Sequence, residues 1–387
     1  MCKFEFGSHC DAQYPSGSFN KFGSMKNLND LYLHLPKCDI SLALLNKLHN
    51  LTRLCLYGYF DVETNFFNSM PKLTTLGIGD FKSVIDLKYL QLPNLYKLNI
   101  DYALLKNIDQ VARLTNFEKL YLTSTARLEP FYLDYFKSLL NLRYLNLNYC
   151  EVAGTLQTIS DLCELQTLIL HGNKIFGELC DLKNLKELSN LNLARTRVRG
   201  LLKELTAFNG MHRLTTLDLS NTAISGSLNN LKSLEDLEYL DLSHTTVNGN
   251  LNDLHHCNKL QYLNLSNTGI VGSPVEFIDF SYLETLKLND SYVNGNINDM
   301  CRIPNLEKLY LSNTDMFGNA ETLKDSIPSL KRFDYHHSRI TGDWKSINPV
   351  NDDGMVSVAE YNRMKQNYEN IIIMLQKKLD KLTVKQN

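Results

Sequence analysis

Apolar residues return along this chain with a fixed spacing. Leu214-Thr-Thr-Leu217-Asp-Leu219-Ser-Asn-Thr222-Ala-Ile224-Ser-Gly226-Ser-Leu228 aligns with Leu237-Glu-Tyr-Leu240-Asp-Leu242-Ser-His-Thr245-Thr-Val247-Asn-Gly249-Asn-Leu251, an offset of 23 residues. The register continues at Leu260, Leu283, Leu306 and Leu330, and backward at Leu188, Leu165, Leu142, Phe117, Leu95, Leu73, Leu51 and Leu28. That makes fourteen repeats spaced 22 to 26 residues apart. Within Leu217-Asp218-Leu219 the side chains alternate, so the leucines point to one face and Asp218 to the other. Each repeat therefore predicts one short strand. A single repeat cannot bury its leucines, but stacked repeats form a parallel sheet over a continuous core.

Two features follow the strand. The ninth position reads Cys150, Asn173, Thr196, Thr222, Thr245, Thr268, Ser291, Thr314 and Ser338, small polar groups suited to bonding the backbone of a turn. In the earlier repeats Pro36, Tyr59, Phe81 and Ala103 stand there, so those turns are built differently. From Leu142 onward an apolar-x-Gly triplet is added, as at Val198-Arg-Gly200, Ile224-Ser-Gly226, Val293-Asn-Gly295 and Met316-Phe-Gly318. The Gly permits a close or unusual backbone path. Leu228, Leu231, Leu234 and Leu237 then recur every three residues, the period of a 3₁₀ convex side.

This pattern, L-x-x-L-x-L-x-x-(N/T/S/C)-x-(I/V/L), resembles the leucine-rich-repeat superfamily over Leu28 to Trp344. The added triplet resembles the plant-type repeat, with a second short strand after the turn, although the plant-type cysteine cap is missing. Thr in place of the usual Asn at position nine points to a less common subfamily. The resemblance implies an α/β repeat solenoid, a horseshoe with a parallel concave sheet, and a role in holding a protein partner rather than in catalysis.

The ends depart from the repeat. Residues 1–27 carry Gly, Ser and aromatic residues and are expected to cap the first repeat. Residues 345–356 read as a turn-rich linker. Ser357-Val-Ala-Glu360 is a capping box that opens a C-terminal helix in residues 357–387. Its seam through Tyr368, Ile371 and Leu375 is apolar and its end carries Lys377, Lys378, Lys381 and Lys385, which suits either helix-mediated association, including a homo-oligomeric coiled coil, or a cover for the last repeat. Asn351, Asp353 and Glu360 also fall at positions three, five and twelve of an EF-hand-like calcium loop. Pro349 at position one supplies no side-chain oxygen, so the capping-box linker is the favoured reading.

Composition narrows the partner. A formal net charge of -2 leaves no cationic footprint for nucleic acid. No segment is apolar enough to insert in a bilayer, and Met1-Cys2-Lys3-Phe4 begins no recognisable signal. Nine cysteines without a C-x-x-C pair fit reduced thiols and a cytoplasmic setting, with Cys163 and Cys257 expected to be buried just before consensus leucines.

No catalytic or cofactor motif emerges. Gly77-Ile-Gly79 lacks the third glycine of a phosphate loop and is expected to be a crowded turn. His255-His256-Cys257 and His336-His337 have no complementary pair at zinc spacing. What remains is the outward face of the strands, where Asp218, Tyr239, Asp241, His244, Tyr262, Asn264, Lys287 and Tyr310 make a polar surface with central tyrosines. Tyr121, Tyr144, Asn146 and Tyr149 form a second candidate. Tyr offers large contact area at low ordering cost, which suits protein recognition. An interaction scaffold or adaptor is the leading expectation. A structural subunit of a large assembly is one alternative. A secreted or surface recognition protein is another, supported by the glycan-acceptor sequences at Asn50, Asn264 and Asn289.

Overall fold

The computed structural model describes residues 2–7, 25–35, 42–58, 60–61, 63–81, 83–207, 211–273 and 280–344. The chain divides into two compact units, Met1–Ser346 and Ile347–Asn387, and every described residue belongs to the first. The terminal helix with Tyr368, Ile371 and Leu375, and the acidic loop with Asn351, Asp353 and Glu360, lie outside the described residues.

Every one of the fourteen repeats contributes a strand, in sequence order, to a fifteen-stranded parallel sheet that runs to Arg332–Asp334. Register is carried by the fourth repeat position. Leu168 pairs with Leu191, Leu191 with Leu217, Leu217 with Leu240 and Leu240 with Leu263, and all five are fully buried. The fifteenth strand, Cys2–Gly7, was not legible in the repeat pattern. It lies parallel to Leu28–Leu35 at the sheet's edge, and its Lys3-Phe4-Glu5-Phe6 alternation has the period of a strand without the leucine signature.

The apolar-x-Gly triplets form a second parallel sheet of nine strands, from Ala153–Thr155 to Arg339–Thr341. The glycine requirement is steric. Gly200 has a φ of +132°, and a Cβ there would lie 3.0 Å from the Leu179 nitrogen. A three-stranded counterpart, Val84–Asp86, Leu104–Lys106 and Ala126–Arg127, occurs in earlier repeats that lack the triplet. There Ile85 and Leu105, buried to 1% exposure or less, hold the strands through core packing instead.

The returning side of each repeat is mostly 3₁₀, as the three-residue leucine spacing predicts. Leu228–Leu231 and Leu251–Leu254 bury their end leucines, and the latter is closed reciprocally. The Asn250 side chain accepts from the Asn252 N–H at 2.9 Å, while Asp253 accepts from the Asn250 N–H at 3.0 Å. At the far end the core is closed by Trp344 packed edge-on against Phe333, with ring centroids 5.8 Å apart.

Position nine does what its polarity suggests, in two ways. The hydroxyls of Thr196, Ser291 and Thr314 each donate at 2.6 Å to a carbonyl three residues back, closing their own turn. Asn173 does more. Its amide donates to the Leu147 carbonyl of the preceding repeat at 2.7 Å and accepts from the Val152 N–H at 2.9 Å, stitching two repeats together. Replacing Asn173 by Ala strands several buried backbone groups and is expected to cost about 2–3 kcal/mol, against about 1 kcal/mol for Thr196→Val. Equal losses in denaturant titrations would contradict the inter-repeat role.

The residue before position nine is left-handed almost throughout, with φ between 53° and 57° at Asn221, His244, Asn267, Asp290, Asn313 and His337. Asn and Asp tolerate that conformation best, and their run at this slot was the unread signal.

Candidate functional site

Outward strand positions form columns across the inner sheet, because neighbouring strands pair in register. Tyr239 pairs with Tyr262, and Asp218 with Asp241 and then Asn264. Strands about 4.8 Å apart bring such neighbours into contact. The Tyr239 and Tyr262 rings stack with centroids 4.3 Å apart and planes within 4°. The Lys287 ammonium sits 5.4 Å from the Tyr262 ring centre and 5.3 Å from that of Tyr310, and the Arg332 guanidinium lies 5.3 Å from Tyr310. Tyr239, Tyr262, Lys287 and Tyr310, expected on one polar surface, thus form a continuous aromatic and cationic strip, to which Arg332, not singled out from the sequence, is added.

The acidic members behave differently from the sequence expectation. Asp218 is 1% exposed and Asp241 6%, with Asn264 at 8% and Tyr310 at 8%, so these four are withdrawn from solvent although they face outward. Position-seven serines explain it for the carboxylates. Ser220 Oγ donates to Asp218 Oδ1 at 2.7 Å and Ser243 Oγ to Asp241 Oδ1 at 2.6 Å. Asn192 and Asn264 donate to the remaining oxygens at 3.0 and 2.9 Å. Burial, and then the neighbouring Asp241 charge, push the Asp218 carboxyl up to about 7. Burial raises Asp241 as well. Asn264 is therefore engaged with Asp241 rather than presented as a glycan acceptor. His244 is exposed at the turn, its Nδ1 2.9 Å from Asn267 Nδ2.

The second candidate is also assembled. Tyr121 and Tyr144 stack at 4.2 Å, and the Lys97 ammonium lies 5.2 Å from the Tyr121 ring centre. Asn146 is occupied in accepting from the Asn148 N–H at 3.0 Å. Tyr149 instead lies against His171, with ring centroids 4.7 Å apart. Sequence reasoning passed over His171, which is 3% exposed and has a buried Nε2 without a hydrogen-bond partner among the described residues. Burial, aided by the Arg195 charge, pushes it down to about 4, so its imidazole is neutral at pH 7.

Two other expectations need correction. Gly77 and Gly79 lie within the strand Thr75–Gly79, not in a turn. They leave room for the Tyr57 ring, which a Cβ on Gly79 would meet at 2.6 Å, and Asn99 Nδ2 donates to the Tyr57 hydroxyl at 2.8 Å. Cys257 is buried as expected, but Cys163 is exposed. Cys257 stands three residues before its consensus leucine, in the inward slot of Leu162 and Leu185, whereas Cys163 stands two before, in the outward slot of Lys186. Among the described residues no group of three or more potential metal-ligating side chains occurs. Nor is any described helix long and apolar enough to cross a membrane.

No protein-family model matches this sequence, and no curated protein does. Solved structures do. A leucine-rich-repeat protein of Leptospira interrogans superposes with a TM-score of 0.61 at 19% identity, over 86% of this chain and 90% of its own. An internalin, InlF of Listeria monocytogenes, gives 0.62 at 22%, over 81% and 88%. The plant peptide hormone receptor RGFR1, in complex with RGF2, gives 0.60 at 18%, over 84% of this chain, which spans 56% of the receptor chain. At these identities the likeness is one of fold.

Proposed function

Because the chain is a leucine-rich-repeat solenoid, we propose that it is a non-enzymatic scaffold that grips a protein partner on its concave sheet. The observation that carries this reading is the strip from Tyr239 through Tyr262, Lys287 and Tyr310 to Arg332, which crosses five successive strands. Preformed aromatic stacks lose little entropy on binding, and the Lys287 ammonium seated over two of the rings adds a cationic contact for a partner. Asp218, Asp241 and Asn264 act beneath this strip as its support, while Tyr239, Tyr262, Lys287 and His244 meet the partner. The receptor RGFR1, which shares the fold, is described in complex with RGF2, and that supports a polypeptide ligand. A second contact through Tyr368, Ile371 and Leu375 belongs to the same proposal.

Cross-linking of the full chain in its native source tests it. A partner joined to Lys287 in the wild type should be lost in Tyr239→Ala/Tyr262→Ala while the variant keeps its folded circular dichroism. Recovery of the same cross-links from the variant would remove the strip from the interface.

A structural-subunit reading has its own support in the second sheet. Val271, Tyr292 and Phe317 are 44%, 68% and 46% exposed there, an apolar burden that an assembly would cover. A stoichiometric complex would favour that role over an adaptor.

A further inference from the structure

The second sheet carries a charged surface of its own, away from the concave strip. Its strands Lys174–Glu178 and Arg197–Leu201 are neighbours, with Phe176 paired to Arg197 and Glu178 to Arg199. Alternation sends Ile175 and Val198 into the core and leaves Lys174, Phe176, Arg197 and Arg199 on the outer face. Arg195 is exposed at the turn that feeds the second of these strands. Phe176 is 54% exposed, so an aromatic ring lies open beside the arginine strand. On the other side of that strand, Ala223–Ser227 offers only Ala223, Ser225 and Ser227. This shelf of short side chains leaves the arginines open to approach.

Ion pairing accounts for only part of the charge. Arg199 meets Glu178 at 2.9 Å, while Lys174 shares Glu151 with Arg127, at 3.7 and 3.2 Å. Arg195 and Arg197 have no carboxylate partner among the described residues. Arg195 also stands in an unfavourable place. Its φ of 54° is the left-handed slot that the next coils fill with Asn221, His244, Asn267 and Asp290, residue types that tolerate it better than arginine. The cost of that backbone is repaid by no ion pair of its own.

The chemistry selects the kind of partner. A guanidinium takes a carboxylate through two parallel N–H donors, and arginine and aromatic side chains are enriched where proteins meet. A continuous run of phosphates fits less well, because Glu151 and Glu178 stand within the patch and repel it. Single carboxylates placed at Arg195 and Arg197 avoid both.

We propose that this face is a second protein-binding surface, whose partner is an acidic polypeptide segment with carboxylates on Arg195 and Arg197 and an apolar side chain against Phe176. It stands or falls separately from the concave strip.

The test is a selection on the full chain from two libraries of short peptides with the same apolar residues, one fixing Glu at alternate positions and the other Gln. Binders should come from the Glu library, weaken as salt is raised, and lose about tenfold in affinity with Arg195→Gln/Arg197→Gln. Phe176→Ser should weaken them severalfold. Tyr239→Ala/Tyr262→Ala should leave them unchanged, which separates this surface from the concave one. The three substituted side chains are exposed, so the variants should keep the wild-type melting temperature. Arg213→Gln/Lys232→Gln removes the same charge from exposed positions on the returning side and is the control. Glu-library binders that lose as much affinity in that control, or that depend on the concave tyrosines instead, overturn the proposal. So does a selection in which no binder is lost with Arg195→Gln/Arg197→Gln. A single-stranded oligonucleotide that binds these arginines more tightly than any selected peptide overturns the acidic-protein partner.

Discussion

Replacing Leu240 by Ala is expected to destabilise the protein by about 2–5 kcal/mol, the range for removing a buried leucine and leaving a cavity. Leu240 is completely buried and sits between Leu217 and Leu263 on the flanking strands. The preceding residue, Tyr239, points the other way and is half-exposed. Tyr239→Ala should cost about 1 kcal/mol, chiefly the lost stack with Tyr262. The contrast between two adjacent residues tests the strand parity directly. Because each repeat touches only its neighbours, hydrogen-exchange protection in Leu240→Ala should fail first in the repeats beginning at Leu214, Leu237 and Leu260. A uniform loss along the solenoid would contradict the stacked-repeat account of its stability.

The second large effect is a pH dependence centred on Asp218 and Asp241. In the unfolded chain Asp218 titrates near 3.8, while in the folded sheet it is pushed up to about 7. Between those values the folded protein holds a proton that the unfolded chain has released. Stability from this pair is therefore highest at low pH, falls as pH rises from about 4 to 7, and levels off above. The proton belongs to the coupled pair rather than to one carboxyl. His171 works in the opposite sense. Its folded value near 4 lies below the ordinary 6.5, so its contribution is lost as pH falls through that interval.

The clean measurement is thus the difference between Asp218→Asn and the wild type in denaturant titrations at pH 5, 6.5 and 8. Asn keeps the acceptor for Ser220 but forfeits one bond to Asn192, a cost that does not vary with pH. Relative to wild type the variant should gain about 2–3 kcal/mol between pH 5 and pH 8. A difference that stays flat across the three pH values would show that the two carboxyls do not share their burial penalty.

Much of the architecture was open to reading in the amino-acid order. The leucine period placed fourteen strands, the apolar-x-Gly triplet placed most of a second sheet, and the three-residue leucine spacing placed the 3₁₀ returns. Each of these signals is local: a strand's parity, a glycine's backbone freedom and a turn's hydroxyl act within a few residues of themselves. The same parity named the concave tyrosines and Lys287. Where sequence reading failed, the deciding neighbour stood a full coil away. Asp218 and Asp241 face outward by parity, yet adjacent strands bury them and couple their charges. His171 lost its solvent to Tyr149, and Gly79 is a strand residue because the Tyr57 ring of the previous coil occupies the space a side chain would need. The amino-acid order determined which way each side chain leaves the backbone. Only the stacking of coils about 4.8 Å apart decided what that side chain meets there, because burial, ring stacking and carboxyl coupling are properties of neighbours some 23 residues distant in sequence.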